Sequence, residues 1–314
     1  MRADVWPLGE WIGSSQMLLL TGATGTIGTP LLQRLTAAGI PTRCLVRDPR
    51  RLDAERVRVQ IAMGDLSDHL SFRHALRGVD TVVHLASVIR DQPGSSIEEL
   101  AGVATWRLVR AAERAGVRRF VFFSVLGAST RSPARLLRAK ALAERAVNES
   151  SLEHTIFAPS LVYGDDDQYT TLLRRMALAP FVPITGAGHA AFQPISAEDV
   201  ADCVLATLPG GEHVETARDA RFELAGPQTL DQRQVVSLLL RAAHRERPLL
   251  PVPESLVRRG LKATELLMGP AAFATWDEAQ LMTISSTSLR GTADAESLGV
   301  VPQSMASALG VAAA

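Results

Sequence analysis

The first half of the chain alternates short apolar segments with segments of helical periodicity. Six apolar segments predict strands: 17–20, 42–46, 57–62, 81–85, 120–123 and 155–157. Helical patterns lie between several of them, including residues 103–115 and 133–147. Apolar strands that alternate with helices indicate a parallel sheet covered on both faces, with ligand sites at the carboxyl ends of the strands.

The pattern changes at Tyr163. A helical stretch that ends at Met176 is followed by a segment rich in Pro and Gly, 180–188, which is typical of loops that face a substrate. Beyond it we predict a helix at 198–208, a strand at 221–224 and a second helix at 230–244. We predict an N-terminal extension, residues 1–16. The main domain spans 17–163, and the segment 190–208 returns to it. A smaller substrate region is formed by 164–189 and 209–314.

A glycine-rich turn follows the first predicted strand and precedes a helix with an apolar face. In the sequence of residues 21–28, Gly22 permits a tight reversal, Gly25 lets the backbone approach a pyrophosphate, and Gly28 allows close packing of helix on strand. Three glycines at this spacing also occur in ordinary loops. The flanking strand and helix favour a dinucleotide-binding turn.

Composition narrows the class of protein. The 314 residues include 33 Lys and Arg and 33 Asp and Glu, so no net charge attracts nucleic acid, and we expect none as a partner. Cys44 and Cys203 lack metal-like spacing and predict buried thiols in a reducing compartment, by default the cytoplasm. The seven histidines are scattered and the acidic run 165–167 lacks the spacing of a calcium loop, so we predict no metal.

Motifs spread over nearly all of the chain from Met17 onward match one superfamily in order and spacing. They are the turn at 21–28, LVRDP at 45–49, GDL at 64–66, HLAS at 84–87, FS at 123–124, PSLVYG at 159–164, QPI at 193–195, EDVA at 198–201 and ELAGP at 223–227. With them the chain resembles the atypical short-chain dehydrogenase/reductases, above all the branch related to the Rossmann-fold accessory subunit of respiratory complex I, with the NmrA-like proteins nearby.

The resemblance implies a Rossmann-type α/β fold, a doubly wound parallel sheet with a smaller mixed C-terminal substrate region. It also implies an NAD(P)(H) site at the carboxyl ends of the strands. The predicted cofactor-binding residues are Gly22, Thr24, Gly25, Thr26, Ile27, Gly28, Arg47, Asp65, Leu66, Leu85, Ala86, Ser87, Ser124, Lys140, Pro159, Ser160 and Val162.

The charge at the end of the second strand indicates which dinucleotide binds. An NAD site usually has a carboxylate there, whereas a 2′-phosphate needs a guanidinium. Arg47 takes this place, with Arg43, Arg50 and Arg51 close by in sequence, although Asp48 follows it. The arginines are also compatible with a solvated loop. We expect NADP(H) to be favoured over NAD(H).

The catalytic residues depart from the pattern of the superfamily, whose reductases pair a tyrosine with a lysine four residues later. Lys140 matches the lysine, but Leu136 occupies the tyrosine position and cannot donate a proton. Ser124 matches the serine that orients substrate. Tyr163 either faces the nicotinamide or is a core aromatic, and we favour the core.

Two functions follow from the resemblance. One is an NADP-dependent oxidoreductase or epimerase-like protein in which another group replaces the catalytic tyrosine. The other is a non-catalytic NADP(H)-binding protein with a structural, assembly or redox-sensing function. A link to quinone metabolism is a further alternative. The amphipathic segment 253–268 fits a lid over the substrate cleft, which we favour, or contact with a protein partner or with the inner membrane from the cytoplasm.

Overall fold

The computed structural model describes residues 16–68, 71–164, 168–269 and 272–311. The strands in these ranges are β1 (Met17–Thr21), β2 (Thr42–Val46), β3 (Gln60–Met63), β4 (Val79–His84), β5 (Arg119–Phe123), β6 (Glu153–Pro159), β7 (Val162–Tyr163), β8 (Val182–Thr185), β9 (Ala191–Phe192), β10 (Ile195–Ser196), β11 (Ala220–Leu224), β12 (Leu230–Asp231) and β13 (Leu249–Val252). The helices are α1 (Gly28–Ala37), α2 (Ala104–Ala115), α3 (Arg135–Asn148), α4 (Gln168–Met176), α5 (Ala197–Thr207), α6 (Gln232–Ala242), α7 (Glu254–Met268), α8 (Trp276–Leu281), α9 (Ala293–Glu296) and α10 (Met305–Ala308). A 3-10 helix spans Pro49–Val57, and a π-helical segment, Glu98–Val103, precedes α2.

Seven strands form one sheet in the order β11-β6-β5-β4-β1-β2-β3, and every neighbouring pair is parallel. The strand order reverses at β1, which pairs with β2 on one side and with β4 on the other. This sheet confirms the predicted Rossmann-type α/β fold. The crevice between the carboxyl ends of β1 and β4 is therefore the place where such sheets bind ligands.

Both faces of the sheet are covered, which explains the nearly continuous apolar strands. Leu18 and Leu20 belong to a core that includes residues of α1 and α5, whereas Leu19 between them faces α2 and α3. All five residues of β5 are buried. Alternate residues of a strand point to opposite faces, so a strand covered on both sides buries its side chains at every position, most of them apolar. Arg119 of β5 is an exception, and its guanidinium donates to the carbonyls of Thr207 and Val214.

The third strand differs from its prediction. The segment 57–62 was expected to be extended, but Val57 ends the 3-10 helix with 84% of its surface exposed, and β3 begins only at Gln60. Since β3 is an edge strand with mostly exposed residues, burial gave little signal for its boundaries.

A further cluster, the C-terminal core, lies outside the main sheet. It includes Tyr163, Leu173, Val182, Leu239 and Met305. The segments that were predicted to form a substrate region supply most of it. The late residues Ala295 and Leu298 instead join the main core that contains α1 and α5.

Several sequence predictions lie outside the described residues. These are the N-terminal extension apart from Gln16, one of the scattered histidines, His69, and the acidic run at 165–167.

Candidate functional site

The glycine turn packs directly against the end of β4. Gly22 has a φ of +76°, and a Cβ there would lie 2.6 Å from the backbone nitrogen of Ala86. A Cβ at Gly28 would lie 2.0 Å from the carbonyl oxygen of Gly22. Both positions therefore require glycine for the fold itself. Gly25 is exposed, and a Cβ there would meet only the Gly22 carbonyl oxygen, at 3.3 Å, so its open side is available to a ligand.

The first turn of α1 presents uncommitted backbone donors. The helix begins at Gly28 without a side-chain cap. The amides of Thr26, Ile27 and Gly28 donate to no protein acceptor in the described ranges, whereas the next amide, of Thr29, donates to the Gly25 carbonyl at 3.0 Å. Free N–H groups at the positive end of a helix dipole bind anions such as a pyrophosphate.

A buried histidine joins the two strands that form the crevice. The Thr105 hydroxyl donates to the Ala101 carbonyl at 3.1 Å, so it accepts from Nε2 of His84 at 3.0 Å, and Nδ1 of His84 then accepts from the Thr21 hydroxyl at 2.7 Å. Burial, followed by the charge of Lys140, lowers the pKa of His84 to about 3, so the ring is neutral. The chain Thr21–His84–Thr105 fixes β1, β4 and α2 around the crevice. No local pattern in the sequence predicted these hydrogen bonds, because the three residues lie 21 or more positions apart.

The end of β2 presents a cation to solvent. The Arg47 side chain is 63% exposed, and one of its guanidinium nitrogens lies 3.9 Å from Oδ2 of Asp65. The carboxylate of Asp48 accepts from the Arg50 amide at 3.0 Å and caps the 3-10 helix. Asp48 is the carboxylate that made the choice between NAD and NADP ambiguous in the sequence, and the cap engages it. Arg47 and Asp48 are both exposed at this strand end, and the cap engages one of the two carboxylate oxygens of Asp48.

Arg43 does not belong to this cationic edge, contrary to the sequence interpretation. It lies near the amino end of β2, about 13 Å along the strand from Arg47. Its guanidinium donates to the carbonyls of Ala75 and Arg77 at 2.6 and 2.8 Å and to Gln60. Sequence proximity did not reveal this difference, because residues near the two ends of one strand lie at opposite ends of the sheet.

Lys140 and Ser124 meet at the carboxyl end of β5. Lys140 is buried in α3, where its Nζ donates to the Phe123 carbonyl at 2.5 Å and lies 4.9 Å from the centre of the Phe122 ring. Loss of hydration on burial lowers the pKa of Lys140 to about 7, against the opposing effect of Glu144. The hydroxyl of Ser124, the residue after Phe123, is buried and has no hydrogen-bond partner in the part of the chain that the structure describes. An orphaned hydroxyl beside a lysine fits the polar end of a cofactor and its substrate.

Leu136 occupies the position one helical turn before Lys140. It is 7% exposed and packs in an apolar cluster with Ile97, Ala101 and Ala139. This cluster contains no proton donor. The substitution therefore removes the acid and fills its place with packed apolar surface.

Tyr163 lies in the C-terminal core and is 5% exposed. Burial, with a smaller effect of Asp199, raises the pKa of its hydroxyl, which has no hydrogen-bond partner among the residues described. This position matches the core placement that the sequence favoured, and a catalytic role for Tyr163 stays a prediction.

Some of the predicted cofactor-binding residues at and after the end of β6 hold neighbouring segments together. Ser160 donates to the Ser286 carbonyl at 2.5 Å and accepts from the Gln193 amide at 3.0 Å, so its side chain joins three segments. Val162 lies in β7 and pairs with Ile195. Pro159 ends β6 at the same edge of the sheet as Ser124.

The other predicted contacts lie around the crevice. Thr24, Leu66, Leu85 and Ala86 are partly exposed, and Ser87 is exposed. Asp65 accepts from the amide and the hydroxyl of Ser67, both at 2.9 Å, which fixes its orientation. The open amides, the exposed guanidinium and the orphaned serine hydroxyl together fit a dinucleotide that extends from β2 across β1 and β4 to β5.

A cleft of about 310 Å³ lies next to the amino end of α3. Arg135, the first residue of that helix, contacts the carboxylates of Asp91, Glu98 and Asp277 at 3.0, 2.6 and 3.1 Å. Its guanidinium lowers the pKa of Glu98 to about 2. The cleft is lined by Asp91, Pro133, Arg135, Arg258, Lys262, Glu265, Trp276, Asp277 and Gln280. It is a candidate substrate pocket because it adjoins the turn of α3 that contains Leu136.

The described residues bring no group of three His, Cys, Asp or Glu side chains into a metal-binding arrangement. No helix in those ranges is long and apolar enough to cross a membrane.

Comparison with known proteins agrees with this geometry. The chain is 29% identical over 237 residues to a mitochondrial protein of Arabidopsis thaliana, NADH dehydrogenase [ubiquinone] 1 alpha subcomplex subunit 9; the match covers 69% of this chain but only 56% of that subunit. It is 30% identical over 230 residues to the NAD(P)H azoreductase of Xenophilus azovorans, with 73% of this chain and 74% of the azoreductase covered.

A solved structure shares the fold, and a family model matches more than half of the chain. A nucleoside-diphosphate-sugar epimerase from Staphylococcus aureus superposes with a TM-score of 0.72 at 22% identity, covering 94% of this chain and 99% of the epimerase. Residues 22–209, more than half of the chain, match the family described as NAD(P)H-binding. The chain belongs to this NAD(P)H-binding family, within the atypical short-chain dehydrogenase/reductase superfamily.

Proposed function

We propose that this protein binds NADP(H) in preference to NAD(H). The observation that carries the proposal is the guanidinium of Arg47, which is exposed at the end of β2, while the neighbouring Asp48 has one carboxylate oxygen engaged in a helix cap. A guanidinium forms strong paired hydrogen bonds with a 2′-phosphate, whereas a carboxylate without such a cap would favour the ribose hydroxyls of NAD. In this arrangement the amides of Thr26, Ile27 and Gly28 hold the pyrophosphate.

We further propose that the site performs oxidoreductase or epimerase-like chemistry with a replaced acid. Bound NADPH supplies a hydride. The Ser124 hydroxyl orients a substrate oxygen, and Lys140 binds the ribose of the nicotinamide end, for which it exchanges its bond to the Phe123 carbonyl. Since Leu136 donates nothing, the proton that neutralises a reduced carbonyl oxygen comes from water or from another side chain.

The alternative is a protein that binds NADP(H) without turnover and serves as a structural, assembly or redox-sensing component. The packed apolar cluster around Leu136 favours it, because this cluster supplies no proton where the superfamily needs one. The similarity to a subunit of NADH dehydrogenase supports it as well. In this function the C-terminal helices form a contact surface for a partner protein or a membrane, and we place the protein in the cytoplasm, at the inner membrane.

One experiment separates the two functions. The purified chain is titrated with NADPH and then mixed, as its NADPH complex, with a panel of quinones, azo dyes and simple carbonyls. Saturable binding with oxidation of NADPH by a panel member supports the enzyme. Saturable binding without oxidation supports the non-catalytic protein, and no binding contradicts both.

A further inference from the structure

The helix α7 exposes its apolar residues instead of packing them. It has no buried residue over its 15 positions. Leu256, Leu266 and Leu267 are 55%, 88% and 86% exposed, and Phe273, beyond the end of the helix, is 55% exposed. These exposed side chains take no part in packing α7 on the protein, and the lid that segment 253–268 is expected to form over the cleft stays a prediction. An apolar patch of this kind usually marks a surface that another body covers.

Helical geometry divides α7 into three sides. The partly buried residues Val257, Leu261 and Thr264 define the side toward the body of the protein. At 3.6 residues per turn, the stripe of Leu256, Ala263 and Leu267 lies about 120° from that side. The stripe of Arg258, Arg259 and Lys262 lies about 120° away in the other direction. Apolar and cationic residues therefore stand next to each other on the outward half of the helix.

Among the described residues, the three cations Arg258, Arg259 and Lys262 form no ion pair. Arg258 and Lys262 also line the cleft that contains Asp91, Glu265 and Asp277, but no ion pair joins them to these carboxylates. Arg258 is instead held 5.8 Å from the centre of the Trp276 ring. With Ser255 the three cations line a cavity of about 420 Å³. A hydroxyl and three unpaired cations around an open cavity are suited to a phosphate group.

We propose that the outward half of α7, together with Phe273, docks on the surface of an anionic phospholipid bilayer. Lipid phosphates occupy the cavity lined by Ser255, Arg258, Arg259 and Lys262, and the exposed leucines enter the boundary between headgroups and acyl chains. Charge complementarity selects this occupant, because an apolar protein groove would leave the three cations unpaired. The inference rests on the proposed contact surface of the C-terminal helices and is independent of turnover.

The test is co-sedimentation of the full chain with vesicles of phosphatidylcholine alone or mixed with phosphatidylglycerol. The parent protein binds the mixed vesicles and not the neutral ones, and binding weakens as salt rises. The variant Arg258→Gln/Arg259→Gln/Lys262→Gln binds on the order of 100-fold more weakly, since each cation near an anionic surface contributes several-fold. The variant Leu256→Gln/Leu267→Gln also loses binding. The matched control Arg73→Gln/Arg77→Gln/Arg114→Gln removes three exposed charges elsewhere and binds as the parent does.

NADPH affinity is measured on every variant and stays unchanged, so failure of the docking surface is distinguishable from failure of the cofactor site. Equal binding to neutral and anionic vesicles, or parental binding by the triple variant, overturns the proposal. Saturable binding of inorganic phosphate without any binding to the mixed vesicles also overturns it, in favour of a site for free phosphate. A dimer that the leucine variant dissociates, seen by analytical ultracentrifugation, assigns the surface to a second copy instead.

Discussion

The glycine turn provides a pair of substitutions with opposite expected effects. Gly25→Val places its side chain in open space, where the nearest atom to the new Cβ is the Gly22 carbonyl oxygen at 3.3 Å, and Gly25 does not have a positive φ. Gly28→Ala places a Cβ 2.0 Å from the same oxygen and 2.8 Å from the Cα of Ala23. Backbone atoms cannot move aside as a flexible side chain can. The first variant should fold, and the second should not fold normally.

The magnitudes follow from these contacts. For Gly25→Val we expect the free energy of unfolding to change by no more than about 1 kcal/mol, since the loss of chain entropy in the unfolded state offsets a mild contact. The valine would keep a pyrophosphate from about two of the three free amides of α1. A hydrogen bond to a charged group contributes about 1.5–3 kcal/mol. The affinity for NADPH should therefore fall by about 10² to 10⁴-fold. Gly28→Ala should cost about 3 kcal/mol or more in stability.

Urea denaturation and calorimetric titration with NADPH measure the two quantities separately. Gly260→Ala is the control, because a Cβ at that helical position meets no atom within 4 Å. It should leave the affinity for NADPH unchanged and raise the free energy of unfolding by up to about 1 kcal/mol, through the higher helix propensity of alanine. Parental affinity in Gly25→Val would refute the assignment of the turn. A loss of stability in Gly25→Val as large as in Gly28→Ala would refute the structural distinction between the two glycines.

Three further predictions concern charge and the missing acid. Arg47→Ala should weaken NADPH about 10-fold or more and leave NADH nearly unchanged, and equal effects on both cofactors in the titration would contradict the role of Arg47. Leu136→Tyr should gain NADPH-dependent carbonyl reduction over the parent, by up to about 10² to 10⁴-fold, and a rapid parent enzyme would show that another group is the acid. Because the pKa of Lys140 falls to about 7 in the folded protein from 10.5, the unfolded chain holds that proton more tightly between these values, and the free energy of unfolding should rise with pH there. From pH 7 to about 9 the rise should be about 2–3 kcal/mol, and Lys140→Met should flatten it in urea denaturation curves; an unchanged slope would contradict the buried ammonium.

The sequence predicted the elements whose signals are local. The first strand, the glycine turn and α1 follow one another within residues 17–37, and each is specified by its own residues, so their prediction was confirmed. The edge strand β3 was misplaced because it is largely exposed. Amphipathicity predicted α7 but did not indicate which of its sides faces the protein.

The details of the site depend on contacts between distant residues. The cap that engages Asp48 and the path of Arg43 to Ala75 are visible only once the backbone has been placed. The same is true of His84, whose two partners come from β1 and α2. Motif matching could not tell Ser160, whose side chain joins three segments, from Ser124, whose buried hydroxyl has no hydrogen-bond partner among the described residues.

Calorimetric titration of the parent protein with NADPH and with NADH tests the central claim most directly. The account predicts one saturable site per chain that binds NADPH at least about 10-fold more tightly, through charge-assisted contacts between Arg47 and the 2′-phosphate. Saturable binding with equal affinity for the two cofactors, or tighter binding of NADH, would contradict it.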